Sequence, residues 1–197
     1  MKLFYSPTSP YARKVRIVII EKGLQGSIED VIVNPFEAEV AIPSPLGKIP
    51  LLVRDDGGNL FDSPVICAYL DSLGSGPKLT CGDGIEHWEL HRFQALGDGI
   101  LDAAFNLVME RRRPTVEQSE YWKNRWAGAI NGSVVEMAHY VQSSSKKFDI
   151  AQITFACALG YIDFRLPDFE WRSLSPGLDE WYDAIVQRDS VKNSAPQ

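Results

Sequence analysis

The sequence predicts a small α/β domain followed by an all-helical one. Three observations predict it. Within the first 75 residues, short apolar runs and a helical period alternate in the order βαβ, then ββα. A stretch rich in Gly, Ser and Pro, from Ser72 to Gly84, then breaks the pattern. Beyond it every apolar stripe repeats at helical spacing, and 197 residues suffice for two such domains. The expected boundaries are 1–75 and 85–197, with a linker over 76–84.

Residues 2–5 (KLFY) read as a strand. Ser6-Pro7-Thr8-Ser9-Pro10 is a turn that opens a helix. Ser9 suits the N-cap, and Pro10 suits the first helical position, where a missing N–H costs nothing. The helix carries Val15, Ile17, Val18, Ile19 and Ile20 and stops at Gly23. Residues 28–33 (IEDVIV) form a second strand, parallel to the first because a helix connects them. The segment 34–50 is irregular and holds four prolines. Leu51 to Arg54 is a third strand, Asp55 to Asn59 a hairpin turn, and Leu60-Phe61 opens a fourth strand. Ser63-Pro64 repeats the cap-then-proline start, with Ser63 as cap. Val65, Ile66, Tyr69, Leu70 and Leu73 follow at helical spacing until Gly74. The result is a four-stranded mixed sheet with helices against it.

In the second domain, Ile85, Trp88, Leu96, Ile100, Ala104, Phe105 and Val108 form one stripe, ending before Pro114. Thr115 with Gln118 reads as a capping box for the next helix, striped by Trp122, Trp126, Ile130, Val134, Met137 and Val141. Asp149 with Gln152 makes another capping box, with a Phe148–Ile153 staple across it. The helix IAQITFACALGYIDF is apolar almost all round and is expected to be central and buried. Ser175-Pro176 begins a last helix with Leu178, Trp181, Tyr182, Ile185 and Val186. The polar tail after Ser190 is expected to be loose.

Composition excludes several classes. The net charge is −6, and the run Arg111-Arg112-Arg113 is too short to make a nucleic-acid surface. Cys67, Cys81 and Cys157 form no CxxC pair and read as thiols in a reducing compartment. The N-terminal MKLFYSPTSP lacks a signal-peptide core, and no stretch is apolar enough to span a membrane. A cytoplasmic location is expected, with neither a nucleic-acid nor a membrane partner. His87 and His91 lie four apart on a helix, but no third ligand accompanies them, so no metal is expected.

Four segments together resemble the cytosolic glutathione S-transferases over nearly the whole chain. They are Ser6-Pro-Thr-Ser-Pro-Tyr-Ala-Arg-Lys-Val-Arg16, Ser44-Pro-Leu-Gly-Lys-Ile-Pro-Leu-Leu52, Leu60-Phe-Asp-Ser-Pro-Val-Ile-Cys-Ala-Tyr-Leu70 and Phe148-Asp-Ile-Ala-Gln-Ile-Thr-Phe-Ala-Cys-Ala158. The first is similar to the serine-type members, and Leu101 to Pro114 looks most like bacterial ones. The resemblance implies an α/β thioredoxin-like N-terminal domain followed by a helical bundle, and glutathione as cosubstrate. It implies a catalytic Ser9 that donates a hydrogen bond to the glutathione sulfur, with Ser6 and Thr8 as neighbouring hydroxyls that could share the role. It implies a cis Pro50 with the Ile49 backbone pairing with the tripeptide, Lys48 meeting a carboxylate, and Asp62 and Ser63 holding the γ-glutamyl end. Asp62 stands where many members have Glu, and Gln152 where the family usually has Asp.

The activity so implied is conjugation of the glutathione thiolate to a small hydrophobic electrophile, a detoxification chemistry, in a homodimer. The dimer would pair the helix opened by Ser63 with the helix that begins at residue 85. The second substrate would lie between the domains, with Tyr11, Phe105, Met109, Arg112 and Phe164 as wall candidates. Two alternatives use the same fold: a glutathione-dependent reductase or thiol transferase, which commonly needs a cysteine where Ser9 stands, and a regulatory binding protein without turnover.

Overall fold

The computed structural model describes residues 1–37, 42–80, 82–143 and 147–196. Cys81 and part of the irregular segment 34–50 lie outside them. The elements are β1 (Lys2–Tyr5), α1 (Pro10–Glu21), β2 (Glu29–Ile32), β3 (Leu51–Val53), β4 (Asn59–Leu60), α2 (Ser63–Leu73), α3 (Ile85–Arg111), α4 (Glu120–Ser143), α5 (Ile150–Arg165), α6 (Pro176–Ile185) and α7 (Asp189–Asn193). They form two compact units, Met1–Thr80 with Asp189–Gln197, and Cys81–Arg188.

The first unit is a thioredoxin-like four-stranded mixed sheet in the order β2-β1-β3-β4. β1 pairs in parallel with β2 and antiparallel with β3, and β3 pairs antiparallel with β4. The alternation of KLFY places Leu3 and Tyr5 in the core, where Val15, Val18, Leu51, Leu52, Ile66 and Leu70 also lie buried. α1 ends in a Schellman motif. Gly23 takes φ 67°, its N–H donates to the Ile20 carbonyl at 3.0 Å, and the Leu24 N–H donates to Ile19 at 2.9 Å.

Two expectations fail in this unit. The tail after Ser190 is not loose. It forms α7, which packs on α1 and buries Ser190, Val191 and Ser194. Its last carbonyls are taken up by α1 arginines: Arg13 Nη2 donates to Val191 O at 3.1 Å and Arg16 Nη1 to Ser194 O at 3.2 Å. The Ser190 hydroxyl meets Glu21. Cations are favoured at a helix C-terminus because its carbonyls are unpaired there. α7 belongs to the first compact unit.

The stretch 76–80, read as the start of the linker, is also held fast. Lys22 Nζ and Asp71 Oδ1 form an ion pair at 3.1 Å with both side chains almost fully buried. Lys22 also donates to the Gly76 and Pro77 carbonyls at 2.8 and 3.0 Å. Asp71 accepts from the Leu79 N–H, the Thr80 N–H and the Thr80 hydroxyl. Burial raises the Asp71 pKa, but the Thr80 and Leu79 hydrogen bonds and the Lys22 charge outweigh it and leave the carboxyl below its ordinary value.

The second unit is built around α5, whose residues Ile150 to Ile162 are all buried, as its all-round apolarity predicts. Asp149 caps it, accepting from the Gln152 N–H at 2.9 Å and from the Tyr140 hydroxyl at 2.8 Å. Burial raises the Asp149 pKa despite these bonds. Asp163 near its other end accepts from Trp171 Nε1 at 2.8 Å and from both Arg172 Nη atoms at 2.7 and 2.8 Å, which ties the following turn back to the helix.

The buried face of α3 differs from the expected stripe. Ile85 and Trp88 are 73% and 67% exposed, while Leu90, Phe93, Gly97, Ile100, Leu101, Ala104, Leu107 and Val108 are buried. At Gly97 α3 lies close against α5. A Cβ there would stand 2.7 Å from Thr154 Cγ2 and 3.1 Å from Phe155 Cδ1. Ile100, Ala104 and Val108 of the expected stripe are thus buried, while its first two residues are not. The cap of α4 also differs. Thr115 starts a separate 3-10 turn, and Gln118 is extended. Ser119 caps α4 instead, accepting from the Trp122 N–H at 3.4 Å, while Gln118 Nε2 donates to the Arg111 and Arg113 carbonyls at the end of α3.

Gly97→Ala is expected to destabilise the protein by about 1–3 kcal/mol, because Thr154 is stiff and its hydroxyl is tied to the Ile150 carbonyl. Gly99→Ala, with nothing within 4 Å of its Cβ position, is expected to stabilise by up to about 1 kcal/mol. Urea denaturation of the two variants checks the contrast; equal effects would rule out close packing at Gly97.

Candidate functional site

The strand register brings the sequence-selected residues to one end of the sheet. Phe4 lies opposite Leu51, and Leu52 lies opposite Leu60. β1 and β4 therefore finish at the end where β3 begins. One further step along each ladder places Tyr5 against Pro50 and Phe61 against Leu51. Ser6 to Ser9, Lys48 to Pro50 and Phe61 to Ser63 all emerge there. In open α/β sheets the carboxyl ends of parallel strands are the usual place for a ligand.

Ser9 is the N-cap of α1, with extended backbone. Its hydroxyl oxygen accepts from the Ala12 N–H at 3.3 Å, and its carbonyl accepts from the Arg13 N–H at 3.0 Å. Its own hydroxyl proton has no acceptor among the described residues. Ser6 Oγ and Thr8 Oγ1 face each other at 3.2 Å, so their mutual bond takes one of their two protons. A hydroxyl that accepts from an N–H is polarised and becomes a better donor.

The Ile49–Pro50 peptide is cis. Pro50 is buried and Ile49 half-buried. The Ile49 N–H and carbonyl have no partner among the described residues, which leaves them open to an extended chain. Lys48 is exposed and has no acidic partner among the described residues.

Ser63 is not the cap of α2. The Ile66 N–H donates to the Asp62 carbonyl at 3.0 Å, so the first turn closes on Asp62, and Ser63 is the first helical residue. The peptide before Asp62 is also cis. Asp62 is exposed, and its carboxylate accepts no capping bond. Ser63 is buried, and its hydroxyl has no partner among the described residues. The start of α2 thus offers a spare hydroxyl and the N–H groups of its first turn, a pattern that suits a carboxylate, beside an exposed acid that suits an ammonium group.

Sequence reading missed the use of Arg13 and Arg16, which secure α7. No described helix is long and apolar enough to cross a membrane.

Residues 8–73 match the family model for the glutathione S-transferase N-terminal domain, and residues 121–184 the one for the C-terminal domain. The chain is 35% identical to the uncharacterised GST-like protein YibF of Escherichia coli (strain K12), over 100% of this chain and 98% of that protein. It is similar to a crystal structure of a glutathione transferase family member from Pseudomonas fluorescens Pf-5 with bound S-(propanoic acid)-glutathione, at 38% identity and TM-score 0.92, covering 100% of both chains. It is also similar to a glutathione S-transferase structure from Methylobacillus flagellatus KT with glutathione bound, at 37% identity and TM-score 0.93, covering 100% of this chain and 99% of the other.

Proposed function

Because this chain belongs to the glutathione S-transferase family, we propose that it binds glutathione at the sheet end described above and conjugates it to a small hydrophobic electrophile in the cytoplasm. The observation that carries this reading is the Ser9 hydroxyl, which has a spare proton at a helix start and shares the sheet end with Ile49-Pro50 and Asp62-Ser63. Relatives of 37% and 38% identity bind glutathione or its S-propanoic acid derivative, which supports the assignment of the tripeptide here.

On this reading Ser63 and the first-turn N–H groups of α2 hold the γ-glutamyl carboxylate, and Asp62 holds the adjacent ammonium. The Ile49 backbone pairs with the cysteinyl residue as an added strand would, and Lys48 meets a carboxylate. Ser9 acts on the sulfur. A free thiol has a pKa near 8.5 and is mostly protonated at neutral pH. A hydroxyl that donates to the sulfur favours the thiolate, and the positive end of α1 adds to the effect. Each pKa unit requires about 1.4 kcal/mol, which a hydrogen bond to a charged group supplies. Ser9 thus activates the glutathione nucleophile without itself attacking, as the resemblance to the serine-type, bacterial-like members implies.

The two-fold dimer belongs to the same proposal. Exposed Val65 and Leu73 on α2, and Ile85 and Trp88 on α3, support it as apolar surface to be covered. A sedimentation mass of one chain at micromolar concentration would count against it.

The test is the thiolate absorbance of glutathione titrated with the protein across pH. The wild type is expected to form thiolate well below pH 8. Ser9→Ala is expected to lose about 10–100-fold in thiolate stabilisation and conjugation rate, the worth of one hydrogen bond to a charge. Ser9→Thr keeps both the cap and the donor and should restore most of it. A Ser9→Ala protein with unchanged thiolate formation would remove Ser9 from the mechanism.

A further inference from the structure

The first unit buries a charge beside its candidate thiol site and gives it no counter-charge. Arg13 is 6% exposed and lies one turn into α1 from Ser9. Its N–H donates to the Ser9 carbonyl at 3.0 Å, so the two residues share one turn and one face of the helix. Its guanidinium donates from Nη2 to the Val191 carbonyl of α7 at 3.1 Å. Nε is enclosed and has no hydrogen-bond partner. No acidic side chain pairs with Arg13 among the described residues.

The other titratable groups around α1 are engaged or exposed. On α1 itself, Arg16 donates to the Ser194 and Asn193 carbonyls, Glu21 meets the Ser190 hydroxyl, and Tyr11 and Lys14 have partners of their own. Tyr5 of β1 donates to Asp30 at 3.4 Å. α2, packed against α1, carries Cys67, Tyr69 and Asp71, and Asp71 is paired with Lys22. Asp189 and Lys192 of α7 are exposed, as is Asp62 at the start of α2.

Securing α7 does not by itself account for a buried guanidinium. Arg16 serves the same helix end from a half-buried position, where water screens its charge. A cation out of water without a counter-charge costs free energy, and an enclosed N–H without an acceptor adds to the cost. An anion held at the start of α1 would recover part of it. Ser9 and Arg13 are four residues apart, about 6 Å of helix rise. At such a range, where water screens poorly, a cation favours the charged form of an acid by about 10-fold or more.

We propose that Arg13 is a positioning residue for the thiolate: its buried charge, held by the Val191 carbonyl, favours the ionised form of a thiol seated at Ser9, whose proton passes to solvent. Arg13 acts through its field and does not touch the sulfur. The field stands on the geometry of the first unit, and its use in transfer rests on the transferase reading above.

The test uses the full chain and first needs no glutathione. Ser9→Cys puts the thiol in the protein itself. Its thiolate displaces iodide from iodoacetamide, and the rate is followed across pH on the peptide that carries residue 9. Adding Arg13→Gln keeps an N–H donor for Val191 and removes the charge. It is expected to raise the thiol pKa by about one pH unit, a 10-fold loss of thiolate at a given lower pH. Arg13→Lys keeps the charge and is expected to restore most of the loss, and Arg16→Gln is expected to do far less than Arg13→Gln. An unchanged thiol in Arg13→Gln would overturn the proposal, as would equal shifts in Arg13→Gln and Arg13→Lys, or in Arg13→Gln and Arg16→Gln. Should Arg13→Gln not fold, Ser194→Asp replaces it. Ser194 is buried and donates to the same Val191 carbonyl, so a carboxylate there supplies the missing counter-charge. It is expected to raise the thiol pKa likewise, and no change overturns the proposal.

With Ser9 intact, Arg13→Gln is expected to lose about 10-fold in bound glutathione thiolate at a given pH and to keep its affinity for S-methylglutathione, which has no thiol proton, within about twofold. A fall in both would mean a deformed site and overturn the assignment. A wild type that binds no glutathione would sink the transferase reading instead, and the measurement at residue 9 would still decide what the charge does.

Discussion

Asp71→Asn is expected to destabilise the protein by about 3–5 kcal/mol, because removing one member of a buried ion pair strands the other. Lys22 keeps its acceptors on Gly76 and Pro77 but loses the Asp71 counter-charge, in a position 1% exposed. The amide of Asn also cannot accept from Leu79, Thr80 N–H and the Thr80 hydroxyl as two carboxylate oxygens do. The segment that leads out of the first unit should loosen with it. The pH dependence gives a second signature. The folded pKa of Asp71 lies below its ordinary value, so its contribution is fully present above about pH 4 and is lost as pH falls through the depressed folded value. Asp149 has the opposite sign. Its folded pKa is raised, so the fold favours its protonated form, and its contribution declines as pH rises from about 4 through the raised value. Urea midpoints from pH 2.5 to 6 should show the wild type losing more stability at the acid end than Asp71→Asn does. Parallel curves would mean that the pair contributes nothing net.

A chain ending at Arg188 is expected to lose about 3 kcal/mol or more from the first unit. Val191, wholly buried on α1, accounts for about 1.5–3 kcal/mol of apolar burial. Arg13, itself buried, would lose the Val191 carbonyl that accepts from it, and an orphaned buried donor costs about 1–3 kcal/mol. Arg16 would lose both the Ser194 and Asn193 carbonyls. Amide exchange in α1 and β1 reports the loss where it falls. Unchanged protection there would show α7 to be a passive tail. Because α1 starts at Ser9, the shortened chain is also expected to bind glutathione more weakly.

The elements that sequence reading placed correctly share one property: their signals are local. Ser9-Pro10 fixes the start of α1 through two adjacent residues, and Gly23 ends it through its own left-handed φ. Residues 2–5 alternate, and α5 is apolar on every side, so each declares its burial without reference to a partner. The short hairpin strands were found to within a residue at each end, since a two-residue strand has little pattern to read. The candidate site was legible for the same reason. Its residues sit at caps, at a proline and at strand ends, all of which are marked in the sequence.

What the sequence could not decide are contacts between residues far apart in the chain. Lys22 and Asp71, 49 positions apart, read separately as a surface lysine and an acid on a helix. Arg13 and Val191 are 178 apart, and nothing local marks the tail as a helix that needs α1 to exist. Gly97 lets α3 lie close against α5 by what it lacks, a side chain, which only the approach of Thr154 reveals. By itself the sequence determined the order of the strands and main helices, the caps at Ser9 and Asp149, and the family, because propensity and hydrophobic period act over a few neighbouring residues. The tertiary structure decided which charges are buried in pairs and which are left open, because that free energy depends on partners and on exclusion of water, and both exist only once the chain has packed.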